Sequence, residues 1–453
     1  MELKDYKKII ENRRATEAYK YFTYGEDYFR QRNTAIMERK KLMCLQDGTV
    51  TENYFAANHK LPSGFFPQII KQEVNYLIGN GVSWVDADEQ GQELDAYFDT
   101  DDGTGFEEHA KEMMLNARKK GEAWAYAYKE GNALKFASVP AEQTAPYYDD
   151  MGRLKLMIRT YRTSDKLVML VYDDTVIKRY EKASTDKDYE YLGDYGHYTE
   201  YSTINGNIIE EIPHGFGQVP WFPLYSDDEG MSALYPLKLK IDTYDVIESD
   251  FANNITDFQE IFYTLKGYQA DPGELAKFMH QLKTVKAMPI PADGDIKPEQ
   301  FDVPTEARET FLKRLKDGIY ADGMAVDFST VAGGSITNVV MQAMITNLDV
   351  KCNDIEMQLR LYVNRLIRFI NRIDGKSYTS LFRLDRSLPM NYLELSERIE
   401  KALQGGYISK QSAAEASLLE LDWETELERM AAETSPYTLD DLPEEETDPG
   451  GEE

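Results

Sequence analysis

One short motif carries the residue types of a phosphate-binding loop. Gly375-Lys376-Ser377 matches the last three positions of that loop, in which backbone N–H groups surround a phosphate and the lysine neutralises it. The first glycine of such a loop would have to stand at position 370, which is Ile370. The motif also follows a helical pattern, whereas a phosphate loop precedes one. A glycine-closed helix end is therefore predicted here.

A second motif offers oxygen ligands of the kind that calcium prefers. Asp99-Thr100-Asp101-Asp102-Gly103 resembles the start of an EF-hand loop, but its glycine comes one place early. Position twelve of that loop is Ala110, where a bidentate glutamate is required. The spacing favours a surface turn over a metal site.

The remaining candidates for catalysis do not form a recognisable group. The five histidines show no paired i, i+4 ligand spacing; they are His59, His109, His197, His214 and His280. HExxH and GxSxG are absent, and the carboxylates are too numerous for one acid/base pair to stand out. His214, beside Gly215, is interpreted as a turn residue. The sequence predicts no catalytic residue, no metal and no cofactor.

Composition describes an acidic, folded, multidomain protein. The 453 residues suggest two or three domains, and 42% apolar residues are enough to bury real cores. The formal net charge is −29, although residues 1–41 carry +4, interpreted as a solvated helix pair. A monomer of this charge should not bind the outside of DNA, because phosphate contacts need Lys and Arg.

Cysteine usage and hydropathy indicate the compartment. Cys44 and Cys352 are far apart and suggest neither a disulfide framework nor a cysteine metal site. The first residues lack the apolar region of an export signal, and no apolar run approaches the ~18 residues of a membrane span. A soluble protein made in a reducing cytoplasm is expected, with no membrane partner.

The first third of the chain is predicted to be mainly helical. Residues 1–45 read as helices broken near Gly25, followed by a helix over Pro67–Leu77 that closes at Gly79-Asn80-Gly81. A third helical pattern covers Gly105–Lys120.

Between Glu122 and Pro213 the pattern changes to short alternating strands joined by tight turns. Asn205-Gly206 is the strongest hairpin signal. Strands are predicted at 123–128, 134–137, 154–162, 167–172, 176–180, 198–204 and 207–212. Short connections predict an antiparallel meander, and therefore an α+β fold.

Two long helical patterns follow. Ala233–Phe262 and Ile336–Ile373 each keep an apolar 3–4 rhythm, and Pro304–Ala321 is a further helix. Between the first pattern and the further helix lies a small insert, residues 264–303, with a strand-like Thr284–Ile290. The apolar stripes fit either an ordinary helical core or packing between subunits. Their length favours subunit packing.

The C-terminal part is shorter and more polar. Tyr378–Leu384 is strand-like, and residues 390–432 read as two or three helices broken at Gly405-Gly406. The last fourteen residues, 440–453, contain eight acidic and no basic residues and are expected to be disordered.

The order of these parts resembles the portal proteins of long-tailed phages. Ile69–Trp84 resembles the early helix of that family with its closing segment, and Ile212–Leu224 resembles the strand before its stem. Ser377–Glu400 and Gly405–Glu426 resemble two later segments. The helix, small insert and helix between them complete the resemblance.

The resemblance implies a twelve-subunit ring at one capsid vertex, through which double-stranded DNA is packaged and ejected. Its partners would be the terminase motor, head-completion or adaptor proteins, scaffold and the major capsid protein. The virion would be its location, after assembly in the host bacterial cytoplasm, and it would not be an enzyme. The implied parts are a wing (1–232, with the long helix and strand of 336–389), stem helices (233–263 and 304–326), a clip (264–303), a tunnel loop (327–335), a helical crown (390–439) and an acidic tail (440–453).

The resemblance also implies site residues. The predicted tunnel-loop residues are Phe328, Ser329, Thr330, Val331, Ala332, Gly333, Gly334 and Ser335. The predicted clip residues that would meet adaptors or the motor are Gly267, Lys283, Lys286 and Lys297.

Acidity fits a DNA channel in which phosphates pass without sticking, and it fits general solubility equally well. Two other functions stay open from the sequence alone. One is a carbohydrate-active hydrolase, suggested by the abundant acids and tyrosines. The other is a different structural protein of a phage head or neck.

Overall fold

A computed structural model describes residues 1–44, 48–53, 56–85, 88–98, 105–131, 133–183, 188–195, 214–258, 262–266, 295–299, 305–331, 338–384, 386, 392–409 and 412–413. The chain divides into two compact units. The first unit comprises residues 1–327 and 346–387, and the second comprises 328–345 and 388–453.

The described elements mix helices with antiparallel sheet, which confirms the predicted combination. The helices are α1 Leu3–Ala15, α2 Glu17–Phe29, α3 Thr34–Met37, α4 Phe65–Ile78, α5 Asp88–Asp95, α6 Phe106–Lys120, α7 Lys238–Phe258, α8 Thr305–Asp322, α9 Asn338–Asp374 and α10 Tyr392–Gln404. The strands are β1 Leu42–Cys44, β2 Val50–Glu52, β3 Val82–Trp84, β4 Glu122–Glu130, β5 Ala133–Val139, β6 Thr144–Tyr148, β7 Leu154–Arg162, β8 Lys166–Tyr172, β9 Ile177–Ala183, β10 Glu190–Tyr195, β11 Trp221–Tyr225, β12 Phe262–Lys266, β13 Asp295–Glu299 and β14 Phe382–Leu384.

A five-stranded sheet among the described residues contains three strands of the predicted meander, those at 154–162, 167–172 and 176–180, whereas its edge strands β6 and β10 were not predicted. Strands β6 to β10 lie in sequence order, and every neighbouring pair is antiparallel. Alternate side chains of β7 point to opposite faces, as the period of two requires. Leu156 and Ile158 belong to a core cluster with Tyr6 of α1, whereas Met157 belongs to a cluster with Trp221 of β11. Both faces of this sheet are therefore covered.

The predicted strands at 123–128 and 134–137 are β4 and β5 of a second described sheet, in which β4 lies between β11 and β5. The predicted strands at 198–204 and 207–212, with the turn at Asn205-Gly206, lie outside the described residues, as do residues 99–104 of the calcium-like motif.

The predicted helix break at Gly25 is wrong. The break falls at Thr16, and Gly25 lies inside α2. A Cβ atom built on Gly25 would be 1.9 Å from the carbonyl oxygen of Lys119, so this glycine lets α2 approach the end of α6. The glycine is therefore explained by the close packing of two helices, and it does not mark the end of a helix.

The long helix predicted at 336–373 is confirmed as α9, Asn338–Asp374, and it ends at Gly375 with a φ of 64°. The favoured interpretation of its apolar stripe as a subunit contact is wrong for residues 348–370. The stripe is buried within the chain itself at Leu348, Cys352, Ile355, Leu359, Tyr362, Leu366, Phe369 and Ile370. It forms an ordinary intramolecular core.

Helices α7 and α8 form an antiparallel pair, as the order helix, insert, helix predicts. Lys240 near the start of α7 forms an ion pair with Asp322 at the end of α8. Helix α7 begins five residues later than predicted, because residues 233–237 form turns around Pro236, which has no N–H to donate. Leu234, Leu237 and Ile241 are buried, whereas Ile255 is 48% exposed.

The insert between these helices contains two strands that the sequence did not predict. Strands β12 and β13 pair antiparallel, with Thr264 opposite Lys297. No strand was predicted at 295–299, which contains Pro298. In a two-stranded ribbon each strand has a free edge, where the missing N–H of a proline costs nothing. The strand predicted at 284–290 lies outside the described residues.

Candidate functional site

The structure describes part of the predicted tunnel segment. Phe328–Val331 forms one turn of 3-10 helix, and Phe328 is 47% exposed. Ala332, Gly333, Gly334 and Ser335 lie outside the described residues. Of the predicted clip residues, Lys297 lies in β13, whereas Gly267, Lys283 and Lys286 fall outside the described part of the chain.

The chain that leads into the tunnel segment is held by α4. Gln72 bonds both backbone groups of Val326: its Oε1 accepts from the N–H at 2.9 Å and its Nε2 donates to the carbonyl at 3.1 Å. One turn earlier on α4, Gln68 accepts from the Tyr320 hydroxyl at 2.9 Å. Gln72 therefore holds the backbone of Val326 through both of its polar groups, and Gln68 holds the side chain of Tyr320.

Ion pairs and close packing strengthen the same segment. Lys316 of α8 forms an ion pair with Asp327, at 2.7 Å. A Cβ atom built on Gly323 would lie 3.0 Å from both the Ile319 carbonyl oxygen and Ile69 Cδ1, so only glycine fits this approach to α4 without movement. The last residues before the tunnel segment are therefore rigidly positioned.

A buried carboxylate lies close to residues 320–326. Glu73 of α4 is completely buried and accepts from Arg118 of α6 at 2.7 Å and from Lys351 of α9. Burial by itself would raise the pKa of Glu73, but the two cations outweigh it and hold that pKa below its ordinary value. Glu73 is therefore an ionised group in the core, where a charge is tolerated only when paired.

The two cations, Arg118 and Lys351, also donate hydrogen bonds to other parts of the first unit. Lys351 also donates to the Gly323 carbonyl at 2.6 Å, and Arg118 donates to the Ser226 hydroxyl at 2.7 Å and its carbonyl at 3.1 Å. We call Gln72, Glu73, Arg118 and Lys351 the loop-base cluster. It joins three helices to the chain that enters the predicted tunnel segment.

A row of polar side chains fastens α7 along its length. Asp245, Ser249 and Asn253 are buried and follow each other at intervals of four residues, on one face of the helix. They accept from the backbone N–H groups of Ser63 at 2.9 Å, Leu61 at 3.0 Å and His59 at 2.6 Å, respectively. A helical step of four residues rises ~6 Å and an extended step of two residues ~6.6 Å, so the two repeats match.

The electrostatics of this row differ along the helix. Burial raises the pKa of Asp245, even though Ser63 and Asn33 donate hydrogen bonds to it. Asp250, on a more exposed face, forms ion pairs with Arg39 at 2.9 Å and Lys41 at 2.8 Å. Part of the basic excess of residues 1–41 therefore clamps α7, in addition to facing solvent.

Three histidines are described, and each has a structural setting. His109 is buried against the Tyr362 hydroxyl at 2.7 Å, and burial lowers its pKa to about 4. His214 is buried, with one ring nitrogen 3.0 Å from the Asp173 carbonyl oxygen and the other accepting from the Phe216 N–H. This agrees with the predicted turn role. His59 contacts the Thr256 hydroxyl at 2.9 Å.

The described residues contain no cluster of His, Cys, Asp or Glu that could hold a metal ion. Within the same residues, no helix is long and apolar enough to cross a membrane. Cys44 is exposed and Cys352 is buried, and neither forms a disulfide.

Neither the loop-base cluster nor the polar row on α7 was predicted from the sequence. Glu73 stood among apolar neighbours on a helix, which was a usable signal, because a charge on a buried face needs a partner. The polar residues at 245, 249 and 253 carried a second signal, since they repeat every four residues inside an apolar pattern. Their partners are more than 180 residues away in sequence.

Nearly the whole chain matches a known protein family. Residues 4–437 match the family model described as phage portal protein, SPP1 Gp6-like. The portal protein of Bacillus phage SPP1 is 26% identical over 411 residues, covering 87% of this chain and 78% of that protein. The portal protein of Clostridium phage phiCD119 is 25% identical over 334 residues, covering 69% and 71%, respectively.

Among solved structures, one similar chain comes from the neck of a native gene transfer agent particle computed with C12 symmetry. It is 11% identical, with a TM-score of 0.43, and the match covers 79% of this chain and 90% of that one.

Proposed function

The chain belongs to the phage portal protein family of the SPP1 Gp6-like type, and we propose that twelve copies form a ring at one capsid vertex through which double-stranded DNA enters and leaves. The family match over residues 4–437 is the observation that carries this proposal. The role is structural, in the head-to-tail connector of a virion.

Parts of the chain are assigned on the same basis. Helices α7 and α8 would form the stem, residues 264–303 the clip, 327–335 the tunnel loop, and 390–439 the crown. The antiparallel packing of α7 on α8 supports the stem assignment, because two helices joined by a small insert make a continuous rod. The β12–β13 ribbon supports a clip with secondary structure of its own.

The loop-base cluster supports a mechanical role for the tunnel segment. A loop that touches moving DNA must resist being dragged, and its resistance comes from the residues before and after it. Gln72, Asp327 and Lys351 tie the preceding residues to three helices through hydrogen bonds and ion pairs. The residues that precede the proposed tunnel loop are thus held in place.

The acidic composition of the chain supports a channel through which DNA passes without binding to the wall. The chain has 80 acidic and 51 basic residues. Duplex DNA carries about one phosphate charge per ~1.7 Å of axis, and an acidic surface repels it. The terminase motor, adaptors, scaffold and major capsid protein are the proposed partners, and assembly in the host bacterial cytoplasm precedes incorporation into the virion. The lysines at 283, 286 and 297 would face the adaptor or motor.

Phe328→Ala tests the tunnel assignment in assembled particles. This change removes an exposed ring from the proposed tunnel while leaving the described core untouched, so heads should assemble normally. The amount of nuclease-protected full-length DNA per head should fall several-fold, because the loop would grip or align the duplex less well.

Leu381→Ala is the matched control, since Leu381 is also a large exposed apolar residue, 58% exposed, and lies outside the proposed tunnel. Heads carrying this variant should package as the wild type does. Equal packaging by all three proteins would remove Phe328–Ser335 from the proposed tunnel.

A further inference from the structure

A cavity in the first unit is lined by none of the residues of the loop-base cluster. It has a volume of about 640 Å³ and lies between α9, β11 and the turn that joins β6 to β7. Aromatic rings supply much of its wall: Tyr148, Trp221, Phe222, Tyr225 and Phe369. A space of this size and lining is typical of a binding site for a small ligand or for one large side chain of a partner.

The charge of this cavity is opposite to that of the chain. Arg365, Arg368 and Arg372 of α9 line it and are exposed, and no carboxylate occurs among its described lining residues. In a chain of net charge −29 this is a local concentration of positive charge. We call it the arginine cavity.

The three arginines differ in what already engages them. Arg365 donates to the Pro223 carbonyl and Arg372 to the Phe216 carbonyl, each at 3.2 Å. Neutral carbonyls orient these guanidinium groups without cancelling their charge. Arg368 lies between them on the helix and has no hydrogen-bond or ion-pair partner within the described part of the chain.

A buried donor in the wall is also unused. Trp221 is only 3% exposed, and its indole Nε1 has no hydrogen-bond partner among the described atoms. The neighbouring Trp124, by contrast, donates its Nε1–H to Glu122 at 2.7 Å. Because this Nε1 is itself buried from solvent, Trp221 adds apolar surface to the wall and not a donor within reach of a ligand.

We propose that the arginine cavity docks an acidic segment of a partner protein, which inserts one aromatic residue between the rings and places its carboxylates on the three arginines. Guanidinium groups bind carboxylates through paired hydrogen bonds, and a single buried aromatic anchor is the usual centre of such an interface.

The spacing of the arginines suits a peptide. Residues 365, 368 and 372 rise by ~4.5 and ~6 Å along the helix, which matches carboxylates three and four residues apart on a partner helix. Strand addition at β11 is disfavoured, because Pro223 has no N–H and Arg365 occupies its carbonyl. A long nucleic acid is disfavoured by the net charge of the chain.

The probe is a labelled, glutamate-rich peptide with one central phenylalanine, titrated into the full-length protein and followed by fluorescence polarisation. Two further peptides replace either the phenylalanine by alanine or the glutamates by glutamine. The first should bind saturably, and both replacements should weaken binding about tenfold or more, since charge-assisted hydrogen bonds and an anchor are each lost.

Protein variants locate the site. Arg368→Glu should weaken binding of the first peptide by about tenfold or more. Arg162→Glu is the matched control, because it makes the same charge change at an exposed arginine of β7 that does not line the cavity. It should bind as the wild type does.

Three results would overturn the proposal. The first is wild-type affinity in Arg368→Glu, and the second is equal binding of the glutamine peptide. The third is displacement of the peptide by ATP at equal concentration, which would indicate a nucleotide site. None of these readouts depends on ring assembly, so the proposal can fail while the portal function stands.

Discussion

Replacing Glu73 by glutamine should destabilise the first unit more than any other isosteric change on α4. The substitution keeps the shape of the side chain but removes the one carboxylate that, among the described residues, forms ion pairs with Arg118 and Lys351. Both cations would then remain largely buried without a counter-charge.

The magnitude follows from that burial. Breaking a buried ion pair on one side costs about 3–5 kcal/mol, because the remaining charge is uncompensated. One kcal/mol lowers the melting temperature by ~2–4 °C in domains of 150–250 residues and by less in larger ones. We therefore expect the transition of the first unit to fall by roughly 5–10 °C.

The assay is differential scanning calorimetry at pH 7, with chemical denaturation as a second measure. The pKa of Glu73 is lowered in the folded state, so its contribution is complete above the ordinary pKa and is lost only as pH falls through the lowered folded value. Neutral pH thus reports the full effect.

Two comparisons sharpen this test. Glu93→Gln makes the same chemical change at a half-exposed carboxylate and should leave the transition unchanged. Changing Glu73, Arg118 and Lys351 together to methionine should cost less than Glu73→Gln alone, because no unpaired charge remains. A Glu73→Gln transition equal to that of Glu93→Gln would refute the role assigned to the loop-base cluster.

Two further predictions concern packing and pH. Gly25→Ala should destabilise the first unit by about 2–3 kcal/mol in chemical denaturation, because its methyl group would overlap the Lys119 carbonyl; an unchanged midpoint would mean that α2 and α6 are less closely packed. His109 has a folded pKa of about 4 against an ordinary 6.5, so it is neutral when folded and the unfolded chain takes up its proton first. Stability should therefore fall as pH drops below 6.5, by about 2 kcal/mol at pH 5, and His109→Gln should remove that part of the slope; parallel profiles would contradict it.

Local sequence patterns predicted the elements whose signals are local. Helix α9 was placed within two residues at its start and one at its end, because an uninterrupted 3–4 rhythm runs to a glycine that accepts a positive φ. The meander was predicted because short turns allow only antiparallel neighbours. These inferences needed no knowledge of distant parts of the chain.

The errors share a cause, which is that the deciding contact is remote in sequence. Gly25 looked like a break until the backbone of Lys119 was seen against it. The stripe of α9 gave no sign of whether its partner belonged to the same chain, and Tyr362 in fact meets His109 of α6. Burial partners cannot be read from periodicity alone.

The candidate site shows the same limit. The predicted tunnel segment was located by resemblance, but its support was not foreseen, because Glu73 and Lys351 are 278 residues apart. The arginine cavity is similar. Arg365, Arg368 and Arg372 lie on one face of α9, but only the fold places β11 and the ring of Trp221 beside them.

The central claim is that this portal family member forms a ring around a DNA channel, and the native mass of the full-length protein tests it most directly. Native mass spectrometry, with electron microscopy of the same sample, should show particles of about twelve subunits with a central hole. A protein that remains monomeric or dimeric even when expressed together with the scaffold and major capsid proteins of its phage would contradict the account.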